Sequence, residues 1–272
     1  MIEGRAIPHR GEQTMDHTAG QRGLKALLLF LLLLVPCVFP PSAGAADKLV
    51  VGVAANFILP FNAMAQVFEG RTSIRVDPIF TSTGNLYAQI RNGAPYDLFL
   101  AADQARPALL YRDGFAQRPF IYARGRVVLW TSHKALCGAG NTWKKVVMHS
   151  AVHRIGTANP ETAPYGAASV EALKQAGLWE AVKPRLVYAQ SIAQAFQYAQ
   201  TGSVDAGFCA LSSALSVRGK EGCHCMVAEA PVIIQAACII RSRGSGDAVV
   251  RKFAGFLASA EAEAIKRKYG YE

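Results

Sequence analysis

Four short segments rich in Asn, Ser and Thr lie where predicted strands lead into predicted helices. Such junctions combine the unpaired N–H groups of a helix start with side-chain hydroxyls, and both are donors suited to an anion. The same residue types also cap helices, so each junction alone favours plain capping. Four of them, two in each half of the chain, favour one anion site. They are AANF at 54–57, TSTGN at 81–85, NPETAPYG at 159–166 and QSI at 190–192.

The donor types indicate which anion would suit such a site. Neutral N–H and O–H donors fit a fully deprotonated tetrahedral oxyanion. Monohydrogen phosphate carries a proton and needs an acceptor, which would be an unpaired buried carboxylate in the empty site. Asp97 and Asp103 are the nearest candidates, but their positions at a strand start and before a helix favour structural roles.

Motifs of the common enzyme classes are absent downstream of residue 45. The sequence contains no nucleophile elbow, Walker A loop, dinucleotide fingerprint or His-Glu-x-x-His. His149 and His153 have a spacing of four residues, but no glutamate lies between them. We therefore predict no catalytic residues and no enzyme. The alternative from that class is an exported enzyme that uses Asp97 and Asp103 on an anionic substrate.

The elements that must position the junctions alternate between strands and helices. Continuous apolar runs are typical of strands buried on both faces, and β-α alternation predicts sheets covered by helices. Two such series indicate an α/β fold of two lobes, with candidate crossings at 126–131 and 231–241. Predicted strands are 49–54, 74–80, 97–101, 126–131, 154–158, 185–189, 206–211 and 231–241. Predicted helices are 57–69, 84–91, 104–112, 166–175, 192–200 and two within 246–269.

Residues 1–46 are predicted to be an N-terminal extension and signal peptide. A basic flank at 22–25 precedes an apolar block at 26–35, about half of the ~20 residues that span a bilayer. Ala43 and Ala45 form an Ala-x-Ala cleavage site, and Met15 would begin a signal peptide of conventional length. This pattern predicts export to the periplasm, with an uncleaved membrane anchor as the alternative.

Composition excludes several classes of protein. The chain has 272 residues, 51% of them hydrophobic and 18% charged, which excludes a disordered chain. Its net charge of +10 falls only to +9 without residues 1–45, so the basic excess belongs to the exported part. Because the basic residues are scattered and not interleaved with aromatic residues, we expect no nucleic-acid partner.

Five cysteines remain after the signal segment, at positions 137, 209, 223, 225 and 238. In an oxidising compartment an odd number leaves at least one thiol free and allows up to two disulfides, whose connectivity stays open. Cys223 and Cys225 flank His224, but no second Cys/His pair lies at zinc-ligand spacing, so structural or disulfide cysteines are favoured.

Longer segments resemble the periplasmic molybdate-binding proteins, the solute receptors of molybdate ABC importers. The resemblance runs from about residue 48 to the last residue, and its most specific part is 92–103. The matching segments are VAANF at 53–57, TSTG at 81–84, IRNGAPYDLFLAAD at 90–103, GRVVLW at 125–130, ANP at 158–160, APYGA at 163–167 and KYGY at 268–271.

The resemblance implies a two-lobed, type II periplasmic-binding-protein fold with two Rossmann-like parallel or mixed sheets joined by hinge strands. Lobe 1 would comprise 47–125 and about 235–272, and lobe 2 would comprise 126–234. A monomer would close on molybdate, possibly replaced by tungstate, and deliver it to an ABC permease. No cofactor is implied, and molybdenum would bind only as the oxyanion.

The ligand-binding residues implied by the resemblance are Asn56, Ser82, Thr83, Tyr165 and Ile192. Tyr165 and Ile192 would act through their backbone N–H groups. Family members often have Ser in place of Asn56, and many have a ligand-contacting Tyr where this chain reads GFCA at 207–210; Ser212 is a candidate replacement for its hydroxyl. These departures leave selectivity open, so a receptor for sulfate, phosphate or a small organic anion is the alternative.

Overall fold

Ten strands form two five-stranded sheets in the computed structural model, which describes residues 48–138, 140–241 and 247–272. The predicted extension and signal peptide lies outside these residues. No helix in the described ranges is both long and apolar enough to cross a membrane. The strands are β1 (Lys48–Ala54), β2 (Arg75–Thr81), β3 (Leu98–Leu100), β4 (Phe120–Gly125), β5 (Val127–Thr131), β6 (Ile155–Ala158), β7 (Leu186–Ala189), β8 (Ala206–Ala210), β9 (Cys223–Met226) and β10 (Ile233–Ile239).

Helices follow most of the strands and begin at residues that suit a helix start. Ser82 and Ser191 each accept a backbone N–H of the following turn, and Pro164 occupies a first-turn position where no N–H is needed. The helices are α1 (Ile58–Thr72), α2 (Thr83–Arg91), α3 (Ala105–Arg112), α4 (Trp143–Val147), α5 (Pro164–Gln175), α6 (Trp179–Val182), α7 (Ile192–Gln200), α8 (Leu211–Ala214), α9 (Asp247–Phe256) and α10 (Ala260–Lys268).

The two sheets have matching mixed topologies. The first has the order β2-β1-β3-β10-β4, and the second has the order β7-β6-β8-β5-β9. β1 is parallel to β2 and β3, and β6 is parallel to β7 and β8. The strands that enter from the other half of the chain, β10 and β5, run antiparallel to their neighbours. This is the predicted α/β fold with two lobes, each built on one sheet.

Each lobe has its own apolar core. In the first lobe, the completely buried rings of Phe61 and Phe253 pack edge to face at 5.8 Å between centroids, and Phe68 contacts Phe253 at 4.9 Å. In the second lobe, Trp130 of β5 packs on Phe196 of α7 at 5.2 Å. Separate cores allow each lobe to move as a unit.

The chain crosses between the sheets at two places, each of which overlaps a predicted crossing. Residues 127–131 and 233–239 are regular strands of the second and first sheet, so the crossings are Arg126 and the segment 227–232. The predicted ranges 126–131 and 231–241 extend into these strands because a strand that enters a neighbouring lobe has the same apolar pattern as one that joins two lobes.

Two strands and several short helices were not predicted. β4 and β9 are edge strands. β4 mixes buried and exposed residues without a regular period, and β9 has no fully buried residue. β4 pairs with β10 through a register shift at Gln235, which interrupts any regular period. The remaining predicted strands and helices lie within a few residues of the observed ones.

The last residues of the chain are fastened to the first lobe by a buried lysine. Lys266 is 2% exposed, and its ammonium donates to the carbonyls of Tyr122 at 2.7 Å and Leu257 at 3.0 Å and to the Glu263 carboxylate at 2.5 Å. Arg124 of β4 then exchanges two backbone hydrogen bonds with Glu272. The residue between these anchors, Tyr271, is therefore held in place.

One disulfide joins Cys137 to Cys223, which lie 86 residues apart in the sequence. It ties the loop after β5 to the edge strand β9 of the same sheet. Cys209, Cys225 and Cys238 are free thiols. Burial raises the pKa of the Cys238 thiol to about 12, so this thiol is neutral and unreactive in the folded protein.

Reduction of the disulfide is expected to lower the free energy of unfolding by about 2–4 kcal/mol, because the unfolded chain regains the freedom of a long loop. Urea unfolding with and without dithiothreitol measures the effect. Cys137→Ser should abolish the response to dithiothreitol, whereas Cys238→Ala should leave it intact. A response that persists in Cys137→Ser would mean that other cysteines are paired.

Candidate functional site

A small cavity lies between the two sheets and is lined by residues from both lobes. All five residues predicted as ligand contacts line it: Asn56, Ser82, Thr83, Tyr165 and Ile192. The other lining residues are Ala54, Ala55, Ala102, Ala163 and Pro164. The structure thus brings the four predicted junctions to one place, and no charged side chain lines the cavity.

The hydroxyls of Ser82 and Thr83 are oriented by hydrogen bonds that they accept from backbone N–H groups. Ser82 Oγ accepts the N–H of Asn85 at 3.4 Å, as the cap of α2, and Thr83 Oγ1 accepts the N–H of Ala102 at 3.0 Å. Both residues are almost completely buried. Because each oxygen already accepts a hydrogen bond, its own O–H is left to donate, and both residues present donors to the cavity.

The starts of α5 and α7 supply backbone donors from the second lobe. α5 begins after Ala163, which has no side-chain cap, and Pro164 has no N–H, so Tyr165 carries the first N–H of that helix. Ile192 is the first residue of α7, whose cap Ser191 accepts the N–H of Gln194 at 3.3 Å. Each helix start also adds a partial positive charge to the cavity.

Asn56 is placed differently from the prediction of a helix cap. It is the middle residue of the short 3₁₀ turn Ala55–Phe57 and caps neither this turn nor α1. Its Nδ2 donates to Gln235 Oε1 at 2.8 Å and to Tyr271 Oη at 3.1 Å. Both amide hydrogens are therefore used inside the protein, which leaves the backbone N–H of Asn56 as its donor toward the cavity.

Ser212 lies behind the cavity and is not among its lining residues. Its buried hydroxyl donates to the Asn56 carbonyl at 2.9 Å. The hydroxyl sought as a substitute for a family tyrosine is thus engaged in a protein hydrogen bond. The position of Ser212 shortly after β8 did not predict a hydrogen bond to Asn56, because the two residues are 156 positions apart.

The two carboxylates considered as acceptors have structural partners. Asp97 Oδ2 accepts the N–H of Val50 at 2.7 Å. Asp103 accepts the N–H of Arg106 at 3.0 Å and pairs with its guanidinium at 2.5 Å. Neither lines the cavity, so no acid in the described residues faces the donors. Among the same residues, no group of three or more His, Cys, Asp and Glu side chains could hold a metal ion.

Two contacts join the lobes beside the cavity, and sequence reasoning did not identify either. Gly84 donates its N–H to the carbonyl of Thr162 at 2.8 Å, and Arg106 Nη2 donates to the carbonyl of Glu161 at 2.7 Å. A Cβ on Gly84 would lie 2.8 Å from Thr162 Cα, so the close approach depends on the absence of a side chain. The structure therefore shows the lobes in contact around the cavity.

Three tyrosines lie in the protein interior next to Asn56. Tyr122, Tyr165 and Tyr271 are at most 5% exposed. Burial raises the pKa of all three phenols, and for Tyr122 and Tyr165 the proximity of Tyr271 raises it further. Their hydroxyls therefore stay protonated and can donate hydrogen bonds at neutral pH.

The chain is similar to known proteins in its family, its sequence and its structure. Residues 49–272 match the model of a family described as bacterial extracellular solute-binding protein. The molybdate-binding protein ModA of Rhodobacter capsulatus is 34% identical over 253 residues, which covers 92% of this chain and 95% of that protein. The ModA of Azotobacter vinelandii is 36% identical over 234 residues, with 84% and 91% covered.

A solved structure supports the same relationship. The Azotobacter vinelandii periplasmic molybdate-binding protein superposes with a TM-score of 0.76 at 32% identity, covering 82% of this chain and 98% of that one. The similarity therefore extends over nearly the whole of the two-lobed fold, including the elements that form the cavity.

The buried tyrosines predict a loss of stability in alkali. Their folded-state pKa values are raised, so their contribution is complete below the unfolded value of about 10 and is lost as the pH rises toward the folded values. We expect the free energy of unfolding to fall above this pH, with a shallower fall in Tyr165→Phe. Urea unfolding across a pH series measures both slopes. Equal slopes in the two proteins would contradict the assignment.

Proposed function

Because the chain belongs to the family of bacterial extracellular solute-binding proteins, we propose that it captures molybdate in the periplasm and delivers it to an ABC import permease. Its similarity to molybdate-binding proteins supports this oxyanion. In this role the protein binds and releases its ligand without chemical change. We propose that it acts as a monomer, with no catalytic residues, no cofactor and no nucleic-acid partner.

The observation that carries the proposal is the cavity lined by neutral donors and by no charged side chain. A fully deprotonated tetrahedral dianion accepts hydrogen bonds in every direction and donates none. Monohydrogen phosphate would bring an O–H to a place where no carboxylate accepts it, and its binding would leave that proton unpaired. The donor set therefore favours molybdate or tungstate over phosphate.

Each predicted site residue has a distinct role in this proposal. The hydroxyls of Ser82 and Thr83 bind oxyanion oxygens from the first lobe, together with the backbone N–H of Asn56. The backbone N–H groups of Tyr165 and Ile192 bind from the second lobe. Molybdenum is held only through its oxygens, so the site requires no metal ligand of its own.

Binding is coupled to closure because the donors come from both lobes. With the lobes apart, the anion reaches only the donors of one lobe, and closure completes the set. The anion thus binds the closed form more strongly and shifts the population toward it. The contacts of Gly84 with Thr162 and of Arg106 with Glu161 form in the same movement.

Removal of one hydroxyl donor should weaken molybdate binding. We expect Thr83→Ala to lower the binding free energy by about 1–3 kcal/mol, the cost of a lost hydrogen bond to a charged group. Thr83→Ser keeps the hydroxyl and should retain most of the affinity. Isothermal titration calorimetry with molybdate, tungstate, sulfate and phosphate measures the effect and tests the choice of anion. Wild-type binding of sulfate without molybdate would overturn the proposal.

A side chain at Gly84 should oppose closure. The Cβ of Gly84→Ala would meet the Thr162 backbone at 2.8 Å, so the lobes must separate slightly and the affinity for molybdate should fall. Gly70→Ala is the matched control, because it is also a helical glycine and has no atom within 4 Å of the added Cβ. Calorimetry on both variants compares them, and equal affinities would show that this contact does not limit closure.

A further inference from the structure

Five buried side chains join the two lobes behind the proposed molybdate site, at a place that no ligand-binding role explains. We call this group the closure latch, and each of its members is at most 3% exposed. Three belong to the first lobe and two to the second. They are Asn56, Gln235 and Tyr271 on one side and Tyr165 and Ser212 on the other.

Hydrogen bonds within the first lobe prepare one half of the latch. Asn56 Nδ2 donates to both Gln235 and Tyr271, and Tyr271 Oη donates back to the Asn56 carbonyl at 2.6 Å. The turn that carries Asn56 is thereby fixed from two sides. Since Lys266 and Glu272 anchor the chain on either side of Tyr271, this half keeps its shape without the second lobe.

Two hydrogen bonds and one contact between hydroxyls cross from this half to the second lobe. Ser212 Oγ donates to the Asn56 carbonyl at 2.9 Å and lies 3.2 Å from Tyr271 Oη. Gln235 Nε2 donates to Tyr165 Oη at 3.3 Å. Separation of the lobes breaks both hydrogen bonds and the contact between the two hydroxyls. Buried polar groups that lose their partners destabilise the separated state unless water replaces those partners.

A glycine makes room for one of these contacts. Gly125, the last residue before the Arg126 crossing, lies so close to the Tyr165 hydroxyl that a Cβ would overlap it. The same Cβ would meet Gln235 Nε2 at 2.7 Å. The crossing therefore begins at a residue without a side chain, next to the bond between Gln235 and Tyr165.

We propose that the closure latch sets the lifetime of the closed, molybdate-bound form, with Ser212 and Tyr271 as positioning residues that never touch the anion. This inference rests on the proposed function and deepens it. Asn56 and Tyr165 each belong to both the latch and the cavity lining, so the latch bonds form when the anion site is complete. The latch therefore slows release more than it affects capture.

Tyr122 provides a matched control for Tyr271. Both are buried tyrosines whose rings contact Phe57 edge to face with centroids 4.9 Å apart. The Tyr122 hydroxyl, however, bonds to Gln235 Oε1 at 3.0 Å and the Ala101 carbonyl at 3.3 Å, both in its own lobe. Loss of this hydroxyl removes buried hydrogen bonds without removing a contact between lobes.

The test compares Tyr271→Phe and Ser212→Ala with Tyr122→Phe in the full-length exported protein. Stopped-flow displacement of molybdate by excess tungstate gives the dissociation rate, and direct mixing gives the association rate. We expect dissociation to accelerate on the order of tenfold in Tyr271→Phe and Ser212→Ala, with less than a twofold change in association. Tyr122→Phe should lose comparable stability in urea but change dissociation less than twofold.

The double variant of Ser212 and Tyr271 sharpens the result. Because the two hydroxyls contact each other and share the Asn56 carbonyl, their effects on dissociation should be less than additive. Equal acceleration in Tyr122→Phe, or no acceleration in Tyr271→Phe, would overturn the latch.

Failure of the latch and failure of the proposed function can be told apart. If the wild type binds no molybdate, the proposed function fails, and amide hydrogen exchange of the unliganded protein then tests the latch. Tyr271→Phe should lower the protection of residues 211–214 across the lobe boundary, whereas Tyr122→Phe should not. Unchanged protection in Tyr271→Phe would overturn the latch whatever the ligand.

Discussion

The N–H groups at the start of a helix have no carbonyl partner within that helix, and the architecture around the cavity follows from this constraint. The starts of α2, α5 and α7 and the turn Ala55–Phe57 all line one small cavity. Each lobe offers only part of this donor set. A two-lobed fold brings the parts together, and an oxyanion between the lobes can satisfy donors that neither lobe satisfies alone.

The hydrogen-bond donors of the cavity are oriented by residues that do not line it. Asn85 fixes the oxygen of Ser82, and the hydroxyls of Tyr271 and Ser212 fix the turn that carries the Asn56 N–H by donating to the Asn56 carbonyl. A donor that already points toward the anion loses little conformational freedom on binding, so more of each hydrogen bond contributes to affinity. The proposed function therefore gives Tyr271 and Ser212 a part in binding although they do not line the cavity.

Local patterns in the sequence predicted the junctions, because a cap such as Ser82 or Ser191 acts within three residues of itself. Local patterns did not predict contacts between residues that are far apart in the sequence. Asn56 contacts Tyr271 across 215 positions, and Cys137 is bonded to Cys223 across 86. No local rule distinguishes these partners from other residues of the same type. The edge strands β4 and β9 were missed because their half-exposed residues lack a regular period.

The basic excess of the chain is separate from the selectivity of the cavity. An arginine in the cavity would attract many anions and could hold one from a single lobe. Neutral donors bind each oxygen more weakly, so tight binding needs the whole set and hence both lobes. In the proposed function, a cavity lining without charged side chains thus makes affinity depend on closure. The basic excess, spread over the sequence, would add only a long-range attraction for anions to this selectivity.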